Sequence, residues 1–173
     1  MQRPVQIIDY NSRWPILYEE EKQHILECIG KKIVAIEHIG STAVPSLGGK
    51  PILDIMGGVC RSTDADECVL LLQDDYKDVI SEPDNLEWYY CLEKPCKSES
   101  LYYIHLHLVK FLSDHWMKHL LFRDFLRTHP NKAQQYYVLK RELAVKYGSD
   151  REGYTDAKTS FIRSIIDRAL RTG

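Results

Sequence analysis

The sequence lacks the features that define several specialised classes of protein. Its 23 basic and 25 acidic residues leave a formal net charge of −2, so no overall charge favours nucleic acid or an anionic membrane. Its five cysteines are odd in number and form no CxxC pair, which argues against a disulfide framework and a structural zinc site. Basic and aromatic residues do not alternate as they do in single-strand nucleic-acid platforms.

Long apolar runs are also missing. The amino-terminal stretch MQRPVQIIDYNSRW has no run of signal-peptide length, and no stretch approaches the length that spans a membrane. We therefore expect a cytoplasmic protein that has no membrane partner.

The composition that remains is typical of a folded protein. With 173 residues and 44% hydrophobic residues, the chain can bury a sizeable core without disulfides or metal. The pattern predicts one domain over residues 1–173, with an α+β sheet core in 1–112 and an all-helical segment in 113–173 packed on it.

Apolar periodicity, cap residues and turn residues predict the order of the elements. A short apolar run at residues 5–8 is consistent with an edge strand. The remaining predictions are a helix from a cap at Asn11 or Ser12 to about Cys28, strands at 33–39 and 52–59, a helix after Ser62, a short strand at 77–81, an antiparallel pair at 87–94 and 101–110, and helices at 114–127, 132–147 and 156–171.

The segment HIGSTAVPSLGGKPILD, residues 38–54, contains a polar, glycine-rich loop between two predicted strands. Phosphoryl and nucleotidyl transfer need close backbone approach to phosphates, hydroxyl or amide donors, and a carboxylate that holds a divalent cation. Gly40 permits the close approach because it has no Cβ, and Ser41 and Thr42 add hydroxyl donors. Lys50 lies in the same loop, where it either meets a phosphate or balances a nearby acid.

Asp54 lies inside an otherwise apolar strand. Strand alternation places it on one face with Ile52 and Met56, while Leu53 and Ile55 point to the other. We predict that Asp54 faces a cleft, serves as the catalytic carboxylate and holds Mg²⁺ or Mn²⁺. The alternative is an ordinary glycine-rich turn followed by an acid on an exposed strand face.

Two histidines, His105 and His107, share a face of the strand YYIHLHLV. They could bind a transition metal, contact a phosphate or transfer protons, and with Asp54 they would complete a two-histidine, one-carboxylate set. The structural alternative is a strand face covered by the carboxy-terminal helices, with each imidazole paired to a carboxylate. We assign both histidines to substrate or phosphate contact.

Basic residues on the predicted helices are the last candidates. Arg123 and Arg127 are one turn apart and fall on one face, although Asp124 beside them offers a simple salt bridge. Lys140 and Lys158 complete the set. We assign Arg123 and Lys158 to phosphate binding, and a solvated helix face remains the alternative for each.

Several segments together resemble the GrpB family (UPF0157), whose members occur alone or fused to dephospho-CoA kinase. In chain order they are YNSRWPILYEEE, EHIGSTAVPSLGGKPILDIMGGV, HLHLV, HLLFRDFLRTHP and YTDAKTSFI. The resemblance implies a nucleotidyltransferase-like fold, with a mixed sheet flanked by helices and a helical carboxy-terminal part. It also implies that HIGST and Asp54 correspond to the glycine-serine and first-aspartate elements of that superfamily.

This sequence departs from the superfamily pattern at the other acids. Met56 stands where a second acid is expected, and the strand that would carry a third presents His105 and His107. Since two Mg²⁺ ions need bridging carboxylates, ordinary two-metal catalysis is disfavoured.

The resulting functional hypothesis is a nucleotidyltransferase-fold protein that binds a nucleotide or another phosphorylated small molecule and transfers a nucleotidyl or phosphoryl group. Two alternatives stay open. One is a non-catalytic ligand- or partner-binding module on a degenerate transferase scaffold, and the other is a metal-dependent hydrolase that uses Asp54 with the two histidines.

Overall fold

The structure is a computed structural model that describes residues 4–82 and 89–172. The described elements in chain order are α1 (Trp14–Ile29), β1 (Ala35–Ile39), a 3-10 turn (Ser41–Ala43), β2 (Ile52–Val59), α2 (Ser62–Leu72), β3 (Lys77–Glu82), β4 (Tyr89–Pro95), β5 (Tyr103–Lys110), α3 (Asp114–Thr128), α4 (Pro130–Tyr147) and α5 (Arg151–Thr172). All five strands and two helices precede three consecutive helices, which confirms the predicted α+β class.

The five strands form one mixed sheet in the order β1-β2-β5-β4-β3. The β2–β5 pair is parallel and every other pair is antiparallel. The predicted antiparallel pairing of β4 with β5 is confirmed from Tyr89 onward, while residues 87 and 88 of that prediction lie outside the described residues. Asp54 lies directly opposite His105 in the parallel pair, so the sheet brings two candidate residues together at its centre.

Strand alternation gives the sheet two chemically different faces. Leu53, Ile55, Leu106 and Leu108 are fully buried on one face, where α1 and α2 pack against them. The neighbouring residues of the same strands point to the opposite face. That second face carries Asp54 and the histidines, and it is the face that positions the site.

The carboxy-terminal helices are held against the loop that follows the 3-10 turn. Val44 and Leu47 of this loop are buried in a cluster with Phe125, Tyr136 and Ile165, one from each of α3, α4 and α5. This packing fixes the loop and brings α4 and α5 close to the start of β2.

Two local predictions differ from the structure. Residues 5–8 are not a strand of the sheet: Ile8 forms a single bridge with Gly49, and Val5 packs into a separate apolar cluster. Helix α5 begins at Arg151, five residues before the prediction. The Asp150 carboxylate accepts a hydrogen bond from the backbone N–H of Gly153 at 2.9 Å, which caps this extra turn.

Within the described residues, none of the helices is both long and apolar enough to cross a bilayer.

Candidate functional site

Gly40 makes the turn between β1 and the 3-10 turn, in a conformation that requires glycine. Its φ is +72° and its ψ is −170°, a region essentially restricted to residues without a side chain. A Cβ built at this position would lie 2.8 Å from Asp54 Oδ2. The bare backbone of Gly40 therefore packs against the Asp54 carboxylate, and the following residue, Ser41, is turned toward α4.

A cavity of about 240 Å³ lies where the Gly40 turn and the start of β2 face α4 and α5. Three of its lining residues are lysines, two are tyrosines and one is the candidate acid. The full lining is Gly40, Ser41, Lys50, Ile52, Asp54, His105, Tyr136, Lys140, Tyr154 and Lys158. We call it the lysine cavity. It unites five of the sequence-predicted phosphate contacts with Asp54.

Lys140 is the most deeply buried of the three lysines, with 2% of its surface exposed. Its ammonium donates hydrogen bonds to Gly48 O at 2.5 Å and to Ser41 Oγ at 2.6 Å. Burial, followed by repulsion from Lys158 and Lys50, lowers its pKa to about 7. The buried environment of Lys140 therefore disfavours the charged form of its side chain.

The other two lysines flank one tyrosine ring. Lys50 Nζ lies 4.6 Å from the centroid of the Tyr154 ring and Lys158 Nζ lies 4.4 Å from it. Burial, followed by repulsion from Lys50, lowers the pKa of Lys158 to about 8, and burial also lowers the pKa of Lys50. A tyrosine ring carries no net charge, so these contacts do not neutralise the two ammonium groups.

Tyr154 adds an unsatisfied hydroxyl group to the three lysines. Its side chain is fully buried, and its hydroxyl has no hydrogen-bond partner within the described residues. A buried hydroxyl without a partner costs on the order of 1–3 kcal/mol. A ligand that accepts or donates a hydrogen bond would remove that cost.

Asp54 is held on its other side by the two histidines of β5. Its Oδ1 lies 3.0 Å from His107 Nε2 and 3.6 Å from His105 Nδ1. Burial alone would raise the pKa of Asp54, but the adjacent imidazoles lower it well below its usual range. Burial lowers the pKa of His107, yet its contacts with Asp54 and Cys91 outweigh this and raise the value to about 9.

The outer nitrogen of each imidazole has its own partner on β4. His105 Nε2 lies 3.1 Å from Glu93 Oε2, and His107 Nδ1 lies 2.7 Å from the hydroxyl oxygen of Tyr89. These contacts match the structural alternative in part, because each imidazole does meet a carboxylate. They also fix both ring orientations.

Three predicted contacts lie away from the lysine cavity. Thr42 is buried in the 3-10 turn, where its hydroxyl is 2.8 Å from His38 Nε2. Arg123 is buried and bonded to Glu37, Asp124 and the carbonyl of His38, so its guanidinium is already satisfied by the protein.

The third of these residues is His107, which lies behind Asp54 and not in the cavity lining.

Oxygen ligands for Mg²⁺ or Mn²⁺ are scarce at Asp54. Met56, two residues on, is fully buried, and the residue opposite Asp54 on β5 is His105. Because Mg²⁺ favours six oxygen ligands, one carboxylate beside two imidazoles does not fit it. The two imidazoles instead form a group with a thiol: Cys91, His105 and His107 have ligand atoms within 4.8 Å of one another.

Comparison with solved structures defines the class of fold. The chain superposes on Cid1 in complex with the UTP analogue UMPNPP with a TM-score of 0.55 at 11% identity, over 79% of this chain and 42% of that one. A second Cid1 structure, described as the poly(U) polymerase, gives a TM-score of 0.54 at 10% identity. At this identity the likeness establishes the fold, which is nucleotidyltransferase-like.

The chain belongs to the GrpB family, since the sequence model of that family, described as GrpB protein, matches residues 4–168. The crystal structure of GrpB from Enterococcus faecalis superposes with a TM-score of 0.80 at 29% identity, over 96% of this chain and 98% of that one. The Glutamate-rich protein GrpB of Alkalihalophilus pseudofirmus is 30% identical over 93% of each chain.

One relative is much longer. The UPF0157 protein YqkA of Bacillus subtilis is 34% identical over 98% of this chain, which spans only 48% of that protein.

Proposed function

We propose that this protein binds the phosphate groups of a nucleotide or another phosphorylated small molecule in the lysine cavity. The observation that carries the proposal is the convergence of Lys50, Lys140 and Lys158 on one cavity. Within the described residues, none of the three forms an ion pair with a carboxylate. Buried charges without counter-ions are costly, so their presence favours an anionic ligand.

The electrostatics favour an anion with more than one charge. Burial is the main cause that lowers the pKa of each lysine, and repulsion adds to it: from Lys158 and Lys50 at Lys140, from Lys50 at Lys158, and from Arg151 at Lys50. Asp54 partly offsets this by raising the pKa of Lys50 and of Lys158. An anion of charge −2 or more would restore the lysines to their charged form. A volume of about 240 Å³ accommodates a phosphate or pyrophosphate group but not a whole nucleotide.

A second cavity next to the lysine cavity offers space for the part of the ligand beyond its phosphates. This cavity of about 290 Å³ shares Lys50, Ile52 and His105 with the lysine cavity, and Tyr102 and Tyr103 line its far side. Aromatic rings provide stacking surfaces for a base. Because Cid1 is described with a UTP analogue, nucleoside triphosphates are the class to test first.

Transfer of a nucleotidyl or phosphoryl group is the second candidate. Asp54 is favourably placed for it, since its carboxylate lines the lysine cavity and its strand, β2, lies next to the central strand of a nucleotidyltransferase-like sheet. Met56 argues against this candidate. It stands where a second acid is expected, so Asp54 is the one carboxylate of the pair, and two bridged cations need more than one. We therefore propose binding as the primary function and derive no step through Mg²⁺ or Mn²⁺.

Calorimetric titration tests the binding proposal. The ligands are pyrophosphate, UTP, ATP and coenzyme A precursors, each with and without Mg²⁺. Binding should be lost in Lys158→Met and retained in Lys146→Met, an exposed lysine of α4 that serves as the matched control. If none of these ligands binds, or if the Lys158 and Lys146 variants behave alike, the lysine cavity is not a phosphate site.

The same samples distinguish turnover from binding. Incubation with α-labelled UTP or ATP should give a labelled product if the chain is a transferase, and Asp54→Asn should abolish that product. Binding that survives Asp54→Asn, with no product from the wild-type protein, identifies a binding module.

A further inference from the structure

We propose that Cys91, His105 and His107 form a binding site for a single transition-metal ion, with Zn²⁺ the ion that fits best, and that Asp54 orients the two imidazoles. The site lies on the sheet face behind the lysine cavity and does not require a phosphorylated ligand. Imidazole and thiolate donors together favour Zn²⁺ over the oxygen-loving Mg²⁺.

The strand register brings the donors together. Asp54 on β2 is paired with His105 on β5, and His107 on β5 is paired with Cys91 on β4. All four residues point to the same face, because residues that lie directly opposite each other on paired strands share a side of the sheet. The site is therefore built on three adjacent central strands, which hold the donors more rigidly than loops would.

The donor atoms lie close enough to converge on one ion. Ligand atoms about 2.0–2.1 Å from a tetrahedral Zn²⁺ lie about 3.3 Å from one another. The donor atoms of Cys91, His105 and His107 all lie within 4.8 Å of one another, so side-chain rotation is enough to bring them to that spacing. Asp54 lies beside this set, with its Oδ1 3.0 Å from His107 Nε2 and 3.6 Å from His105 Nδ1.

The outer hydrogen bonds also have the form found around metal sites. A ligating histidine usually gives its second nitrogen to a carboxylate, a carbonyl or another polar group, and this fixes the ring. Here each histidine turns one nitrogen toward Asp54 and gives the other to Glu93 or to the Tyr89 hydroxyl.

Cys91 supplies the soft donor. It is buried, and its sulfur lies within 4.8 Å of the ligand nitrogens of both histidines. A thiolate beside two imidazoles is typical of zinc sites and unusual for Mg²⁺ or Mn²⁺. The five cysteines show no metal-binding spacing along the chain, so only the fold reveals this set.

Metal titration of the full chain tests this site in the absence of phosphorylated ligands. The protein is stripped with a chelator and titrated with Zn²⁺ against a chromophoric competitor, and Co²⁺ is added separately for absorption spectroscopy. We expect one Zn²⁺ per chain, a higher melting temperature with Zn²⁺, and a Co²⁺ spectrum with intense tetrahedral bands and a thiolate charge-transfer band.

The variants identify the ligands. His107→Gln should weaken Zn²⁺ binding about a hundredfold or more. Asp54→Asn and Glu93→Gln should each weaken it about tenfold, as expected for residues that orient the imidazoles. Cys91→Ser should remove the charge-transfer band. The controls are His24→Gln on α1, outside the cluster, and Cys60→Ser, an exposed cysteine; neither should change binding.

Three results would overturn the assignment: no stoichiometric Zn²⁺ binding, equal losses in His24→Gln and His107→Gln, or a Co²⁺ charge-transfer band that survives in Cys91→Ser. Far-UV circular dichroism separates ligand loss from unfolding, and His105→Gln serves as the second ligand variant if His107→Gln does not fold. If the chain does not bind Zn²⁺, the phosphate proposal is unaffected, since binding in the lysine cavity is tested without Zn²⁺.

Discussion

Replacement of Lys140 by methionine should make the protein more stable and the lysine cavity less able to bind an anion. Lys140 is almost fully buried, and the pKa of its ammonium falls from 10.5 to about 7. Methionine has a similar length and no charge. The substitution therefore removes a buried cation while it preserves most of the packing.

The magnitude follows from the pKa of Lys140. A drop of about 3.5 units, at about 1.4 kcal/mol per unit, makes the charged form about 5 kcal/mol less favourable in the folded protein than in the unfolded chain. Methionine also loses the hydrogen bonds to Gly48 O and Ser41 Oγ, which stabilise by about 1.5 kcal/mol each. The net gain expected at pH 6, where Lys140 is charged in both states, is about 2 kcal/mol.

The pH dependence gives a second, independent readout. Because the folded pKa of Lys140 lies below the unfolded one, the unfolded chain binds more protons between about pH 7 and pH 10.5. This group therefore makes the wild-type protein more stable as pH rises through that window. Lys140→Met lacks the contribution, so the variant should be more stable at pH 6 and lose its advantage at alkaline pH.

Urea denaturation followed by circular dichroism at several pH values measures both effects. Lys146→Met is the control, and it should change the free energy of unfolding by less than about 0.5 kcal/mol because the side chain is exposed. The reasoning fails if Lys140→Met is less stable than wild type at pH 6 and the two stability profiles stay parallel. Lys140 would then be a structural cation satisfied by the protein itself.

Three further predictions concern the same region. Gly40→Ala should lower the free energy of unfolding by about 2 kcal/mol, since a Cβ strains the backbone and presses on Asp54; wild-type stability in urea would contradict this. Affinity for ATP should fall by roughly tenfold between pH 7.5 and 9 if only Lys158 must be charged, and by up to about two-hundredfold if Lys140 must be charged as well. Calorimetry should detect proton uptake on binding, and a flat profile removes both lysines from the site. Arg123→Met should destabilise the fold by about 2 kcal/mol while ATP affinity stays unchanged, and a loss of affinity would return Arg123 to the site.

The elements that the sequence predicts well are those with strong local signals. Strand β2 is apolar apart from Asp54, β5 alternates histidine with aliphatic residues, and α3 begins directly after a Ser113 cap. The parallel pairing of β2 with β5 has no such signal. It depends on long-range packing, and it is what places Asp54 opposite His105.

Most of the lysine cavity depends on tertiary packing. Lys140 sits in an ordinary charged helix, and nothing in its neighbours along the chain distinguishes it from exposed Lys146. Tyr154 falls in a stretch that sequence patterns predict to be a loop, because the Asp150 cap that starts α5 early is formed by a residue in a turn-rich segment. Thr42 is adjacent to Ser41, but the 3-10 turn buries its hydroxyl against His38.

Asp54 connects the two proposed sites, and its geometry constrains what the protein can do. One carboxylate oxygen faces the imidazoles and the other packs against the bare backbone of Gly40, so neither oxygen is free to bridge two cations. A phosphate in the lysine cavity would meet its positive charge from lysines instead of from bound Mg²⁺. The proposed phosphate site therefore depends on its three lysines, since imidazoles stand beside Asp54 where two-metal chemistry would need further acids.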